Sequence, residues 1–155
     1  MELELSDILG VVLAAVFGGV IGLERELRRK SAGLRTNVLI SVGAAVFTII
    51  SRRMGTADNE SITRIAAQVV TGVGFLGAGA IIRDRAAVHG LTTAATIWLV
   101  ASIGMACGAG FYKLALGTTA IAILVLIGLS RLETIIKQWR PKEQTDNNAE
   151  EPVEL

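Results

Sequence analysis

Chemistry in this chain would have to come from very few side chains. It has one histidine, His89, and one cysteine, Cys107, too few for a zinc site or an internal disulfide. No other nucleophile stands beside an evident base. The reading is a non-enzymatic protein with no catalytic residue, no metal site and no cofactor. One string suggests more: Gly72-Val-Gly-Phe-Leu-Gly77 spells the GxGxxG of dinucleotide-binding turns. That fingerprint needs a strand before it, a helix opening on it and an acidic residue about 20 positions on, whereas here it lies inside an apolar run. A net charge of +1 also lacks the basic footprint by which nucleic acid is held.

Two polar constellations remain. Arg64, Gln68 and Thr71 share one helical face beside an apolar run, where an unsatisfied polar group is expensive, so they are candidates for a polar path. The plainer account is that Arg64 anchors a helix end and Gln68 bonds a neighbouring helix. The second constellation stands at the edges of apolar runs: Glu24 and Arg25, then Arg35, Thr36 and Asn37, then Arg83 and Asp84, then Thr92 and Thr93. Thr92 and Thr93 follow Gly90 at a helix start, where free N–H groups favour an anion, and Arg35 and Arg83 would add charge. A phosphate, a lipid headgroup or a partner's carboxylate would fit there. Ordinary capping and ion pairs, such as Glu24 with Arg35, are the competing account. A dedicated Mg²⁺ path would want oxygen ligands, yet Asp7, Glu24, Glu26 and Asp84 all stand at edges rather than inside an apolar run.

The elements that must position these groups are membrane-spanning helices. Hydrophobic residues make up 52 % of the 155, with 17 glycines besides, and only 19 % are charged. The charges clump, and the gaps between clumps predict spans at about 8–23, 36–51, 65–82, 91–110 and 114–130. The last two form one charge-free run apart from Lys113, roughly 60 Å long as a helix against ~30 Å of hydrocarbon. It must therefore turn back near Gly108, Gly110 and Lys113. Lysine and arginine then set the orientation. Arg25, Arg28, Arg29, Lys30 and Arg35, with Arg83, Arg85 and the four after the fifth span, fall on one side; Arg52, Arg53, Arg64 and Lys113 fall on the other. By the positive-inside rule the N-terminus faces out and the C-terminus faces the cytoplasm. The edge constellation becomes a cytoplasmic ring. The acidic start, Met-Glu-Leu-Glu, does not suit a cleaved signal peptide.

Leu132, Ile135, Ile136 and Trp139 recur at helical spacing, predicting an interfacial amphipathic helix over 131–140. Residues 141–155, largely acidic and with little to bury, read as a disordered tail. Gly18-x-x-x-Gly22 and Gly104-x-x-x-Gly108, with Gly72, Gly74, Gly77 and Gly79, remove bulk so that backbones can approach, within one chain or between chains. The expected fold class is all-α, a domain over 1–132 with five transmembrane helices, in contact with the lipid bilayer and assembled as a homo-oligomer.

Several strings together carry a resemblance. Gly22-Leu-Glu-Arg-Glu26, Ala32-Gly-Leu-Arg-Thr36, Ala66-Ala-Gln68 leading into the glycine run up to Arg83, and Gly90-Leu-Thr-Thr-Ala-Ala-Thr-Ile-Trp98 resemble the MgtC/SapB family of bacterial inner-membrane proteins. The resemblance implies a multi-pass plasma-membrane protein linked to magnesium limitation and stress adaptation, including acid stress and, in pathogens, survival within host cells. It implies a regulator of other membrane proteins, possible ATPase partners included, more than a transporter. A small ion or solute transporter or channel with its path along the third helix is the alternative. The family's motif positions fall here on Glu24, Arg25, Gly33, Arg35, Thr36, Gln68, the glycines Gly72 to Gly79, Arg83, Thr92 and Thr93. Threonine at position 92, where the virulence-associated members carry asparagine, points to the SapB/YhiD-like branch. The soluble ACT-like C-terminal domain of many members is expected to be lacking, so functions housed there are not carried over.

Overall fold

The computed structural model describes residues 4–54, 59–84 and 87–139, and of 59–66 and 133–139 only the backbone. Five helices, α1 (Leu5–Leu27), α2 (Leu34–Met54), α3 (Asn59–Gly79), α4 (Leu91–Gly108) and α5 (Tyr112–Trp139), follow one another up and down a bundle. Between α3 and α4 lies a minimal antiparallel ladder, β1 (Ile82–Arg83) on β2 (Val88–His89), pairing Ile82 with His89 and Arg83 with Val88. Among the described residues four stretches are long and apolar enough to cross a membrane: Leu5–Leu27, Leu34–Met54, Leu91–Gly108 and Tyr112–Leu132. In α3 the apolar part among the described residues is Ala67–Gly79. The helix stops short of residue 82 because the chain tightens after it, Ala80 N–H bonding Gly77 C=O and Ile81 N–H bonding Ala78 C=O at 3.1 Å each. The chain then enters β1. The acidic tail at 141–155 lies outside the described residues. The stripe that begins at Leu132 falls on the last turns of α5, which continues unbroken through Trp139.

The exposed surface is apolar, with Val12, Val16, Val20, Leu116, Ile121 and Leu124 all facing outward. Much of the interior is polar, including Asn37, Ser41, Thr93, Thr96 and Thr119. This inversion suits a hydrocarbon solvent, in which each backbone or hydroxyl group must find an internal partner. Thr48, Thr96 and Thr119 each bond the carbonyl four residues back on their own helix at 2.8 Å.

α2 lies between α1 and α4, and small residues set how closely the three approach. A Cβ at Gly18 would stand 2.7 Å from Ser41 Cβ, and one at Gly22 2.8 Å from Leu34 Cα. From the other side, a Cβ at Gly104 would strike the Ser41 carbonyl and one at Gly108 the Ala45 carbonyl. The aliphatic core of Ala14, Ile21, Ala45, Val100 and Ile103 fills what remains.

The same main-chain pattern ends α1 and α4. At α4, Gly110 N–H bonds Cys107 C=O at 3.1 Å and Phe111 N–H bonds Ala106 C=O at 2.8 Å, with Gly110 at φ 84°. At α1, Arg29 N–H bonds Glu26 C=O at 2.9 Å and Lys30 N–H bonds Arg25 C=O at 3.0 Å, with Arg29 at φ 53°. Such a stop usually places glycine at the left-handed position. Here α1 carries an arginine there.

Candidate ligand-binding cavity

The end of the bundle where α1 stops and α2 and α4 begin is organised by the six-residue turn after α1. Glu26 accepts the Leu34 N–H at 3.0 Å, so its carboxylate caps the start of α2. Gly33 leaves the room for that carboxylate, since a Cβ there would collide with Glu26 Oε2. Asn37, fully buried, donates to the Ala32 and Gly33 carbonyls at 2.8 Å each and closes the turn from within. The turn so fixed presents Arg28, Arg29, Lys30 and Ser31 toward the start of α4.

Between this turn, the β1–β2 hairpin, α4 and α5 is a cavity of about 650 Å³. Arg25, Arg28, Arg29 and Lys30 line one side, and among the described residues no acidic side chain lines it. Arg25 is only 3 % exposed, and its Nη2 donates to Thr93 Oγ1 at 3.2 Å, tying α1 to α4. Ser31 reaches the same hydroxyl at 3.5 Å. Arg25 Nε is buried without a hydrogen-bond partner among the described residues. Arg28 is committed elsewhere: its Nε pairs with Glu24 Oε1 at 2.5 Å, and its Nη1 donates to Ser130 Oγ at 2.7 Å. Glu24 therefore pairs one turn along its own helix rather than with Arg35. α4 enters the ladder with Ala94 N–H on Gly90 C=O at 2.8 Å, so the amides of Leu91, Thr92 and Thr93 precede its first helical bond.

The expected ring is thus divided. Arg25, Thr92 and Thr93 line the cavity, and Glu24 supports it through Arg28. Asn37 holds the turn. Arg35 and Thr36 are exposed on the first turn of α2 and do not line it. Arg83 and Asp84 sit on the exposed hairpin, where Asp84 Oδ1 accepts the Ala87 N–H at 3.1 Å and Asp84 Oδ2 lies 3.7 Å from His89 Nε2. Sequence reasoning missed Arg28, Arg29, Lys30, Ser31, His89 and Ser130 as cavity residues. The Arg-Arg-Lys run directly after an apolar helix was the available signal, and it entered the argument only as orientation charge.

The polar path expected at Arg64, Gln68 and Thr71 is described only in part. Arg64's side chain lies outside the described residues, and Thr71 is exposed with its hydroxyl on the Ala67 carbonyl at 3.2 Å. Gln68 faces a separate groove of about 540 Å³ between α2 and α3, otherwise lined by apolar residues and glycine such as Leu39, Phe47, Gly72 and Leu76. Gly72, Gly74 and Gly79 have open space around them, and Gly77 meets Ala94 at ordinary contact distance. At the opposite end of the bundle Asp7, 2 % exposed, is held by Arg53 and by Arg52 at 2.7 Å. Among the described residues no three of His, Cys, Asp and Glu come together as metal ligands would.

A model of the MgtC family matches residues 11–135. The chain is 50 % identical over 126 residues to YhiD of Escherichia coli, named as a candidate magnesium transporter, covering 77 % of this chain and 58 % of that protein. To the protein MgtC of Salmonella typhimurium it is 47 % identical over 131 residues, 84 % of this chain and 55 % of that one. An uncharacterised protein of Synechocystis is 40 % identical over 141 residues, 91 % of this chain and 59 % of its own. The chain therefore spans a little over half the length of the curated relatives it matches. No solved structure matches it.

Proposed function

The chain belongs to the MgtC family, and from that premise we propose that it is a non-enzymatic, multi-pass protein of the bacterial plasma membrane. In this reading it serves magnesium or ion homeostasis and stress adaptation by regulating another membrane protein. The cavity at the start of α4 is where it meets its ligand or partner, on the cytoplasmic side. One observation carries this reading: a guanidinium buried at 3 % exposure, Arg25, fixed to Thr93 in a cavity whose lining is basic and, among the described residues, not acidic. Isolated buried charge is costly, and a protein that needed only a packed bundle would be more stable without it. The same reading has the chain assembling with itself through α3, whose open glycines leave a helix face free for a second copy.

Chemical crosslinking in intact cells tests this reading, with the tagged chain purified and its companions identified by mass spectrometry in high and low Mg²⁺. Reproducible capture of another membrane protein, reduced several-fold by Arg29→Gln/Lys30→Gln at unchanged abundance, is the expected result. Recovery of the chain alone in both conditions would overturn it.

The second reading, transport along α3, is favoured by the name of the Escherichia coli relative and by Gln68, the polar side chain in the α2–α3 groove. Flux through reconstituted vesicles that Gln68→Leu abolishes and Arg29→Gln/Lys30→Gln spares would establish it instead.

A further inference from the structure

We infer that the cavity binds the phosphate group of an anionic phospholipid. The inference deepens the reading of this cavity as the working site and rests on it for the placement of this bundle end at the membrane surface. The charge balance comes first. Arg28 is neutralised by Glu24, which leaves Arg25, Arg29 and Lys30 as three cations around a cavity with no carboxylate among the described residues that line it. Arg25 is the decisive one. It is buried, it makes no ion pair among the described residues, and its Nε–H has no acceptor. A guanidinium presents its donors as a planar fork matched to two oxygens of one phosphate. Arg25 lines the cavity with that charge unpaired among the described residues, and an anion there would balance it.

A second set of groups converges on the same space. The amides at the start of α4, an 18-residue helix, carry the positive end of its dipole and bind phosphate readily. The hydroxyls of Thr92 and Ser31 stand beside them on the lining. Neither set by itself would distinguish a free phosphate from a lipid. The remaining wall does, because Leu91, Val125, Leu126 and Leu129 make the side formed by the start of α4 and by α5 apolar. Val125 and Leu129 are exposed on α5, whose outer surface from Leu114 to Leu129 is apolar. The lining thus grades from cations at the turn to aliphatic side chains at the bundle surface, as a phospholipid grades from headgroup to acyl chain. Basic recesses between transmembrane helices hold anionic headgroups by this combination.

The test uses the full chain purified in neutral detergent, with native mass spectrometry and thermal melting in the presence of phosphatidylglycerol, phosphatidylcholine or inorganic phosphate. Phosphatidylglycerol is expected to remain bound and to raise the Tm, and phosphatidylcholine is not. Arg29→Gln/Lys30→Gln, which alters exposed side chains and spares the fold, is expected to weaken phosphatidylglycerol binding on the order of ten-fold, with Lys113→Gln at the far end of the bundle leaving it unchanged. Equal stabilisation by inorganic phosphate would overturn the lipid assignment, and unchanged phosphatidylglycerol binding in the double variant would overturn the site. Crosslinked partner capture by the same variant separates the two readings. If capture falls while lipid binding persists, the lipid inference fails and the regulatory reading stands; if lipid binding falls while capture persists, the reverse holds.

Discussion

Arg29 ends α1 at φ 53° in the position that Gly110, at φ 84°, occupies at the end of α4. A side chain in that region suffers contact with its own carbonyl, worth roughly 1 kcal/mol relative to glycine. Arg29→Gly is therefore expected to raise the melting temperature of the detergent-solubilised protein by a few degrees while weakening anion binding at the cavity. Thermal melting with and without phosphatidylglycerol checks both signs. Position 29 was visible in the sequence only as a charge, because nothing in Leu-Arg-Arg-Lys-Ser announces which arginine takes the left-handed conformation. Asp7 illustrates the other limit. It reads as an edge carboxylate, and its partners Arg52 and Arg53 lie 45 and 46 positions away, a pairing that only the packing of α1 on α2 creates.

Small residues decide how the helices meet, and the spelling of a helix does not say which of its faces will be used. The pair Gly104 and Gly108 stands against the α2 backbone, whereas Gly72, Gly74 and Gly79, with the same appearance in the sequence, stand in open space. Gly104→Ala should lower stability by about 1 to 3 kcal/mol, since its methyl would push α4 away from the Ser41 carbonyl. Gly117→Ala on α5, where the space is open, should gain up to about 1 kcal/mol from helix propensity. Melting curves of the two variants side by side make the comparison. Each of the five helices overlaps one of the charge-free stretches, because the exclusion of charge from hydrocarbon acts on the sequence directly. The cavity was not legible in the same way. Its lining comes from a turn, a hairpin and three helices, and the residues that meet there, Arg28 and Ser130, are 102 positions apart.

At the scale of the molecule, α3 has an open glycine face, and the expected assembly would cover it. Light scattering of the detergent-solubilised chain should give at least a dimer, and Gly72→Leu/Gly74→Leu should return it to a monomer of 16.3 kDa without a change in helical content. The polar interior bears on how such a chain is made. Thr48, Thr96 and Thr119 donate their hydroxyls within their own helices, and the Asn37 side-chain nitrogen donates to the turn that precedes its helix. These donors ask nothing of a neighbouring helix. Arg25 is different: its bond to Thr93 spans 68 positions, and the apolar wall facing it arrives only with α5. The first helix must wait in the bilayer with its arginine at the surface until the last one is synthesised. Whatever this cavity binds is therefore barred from the nascent chain and admitted only to the finished one.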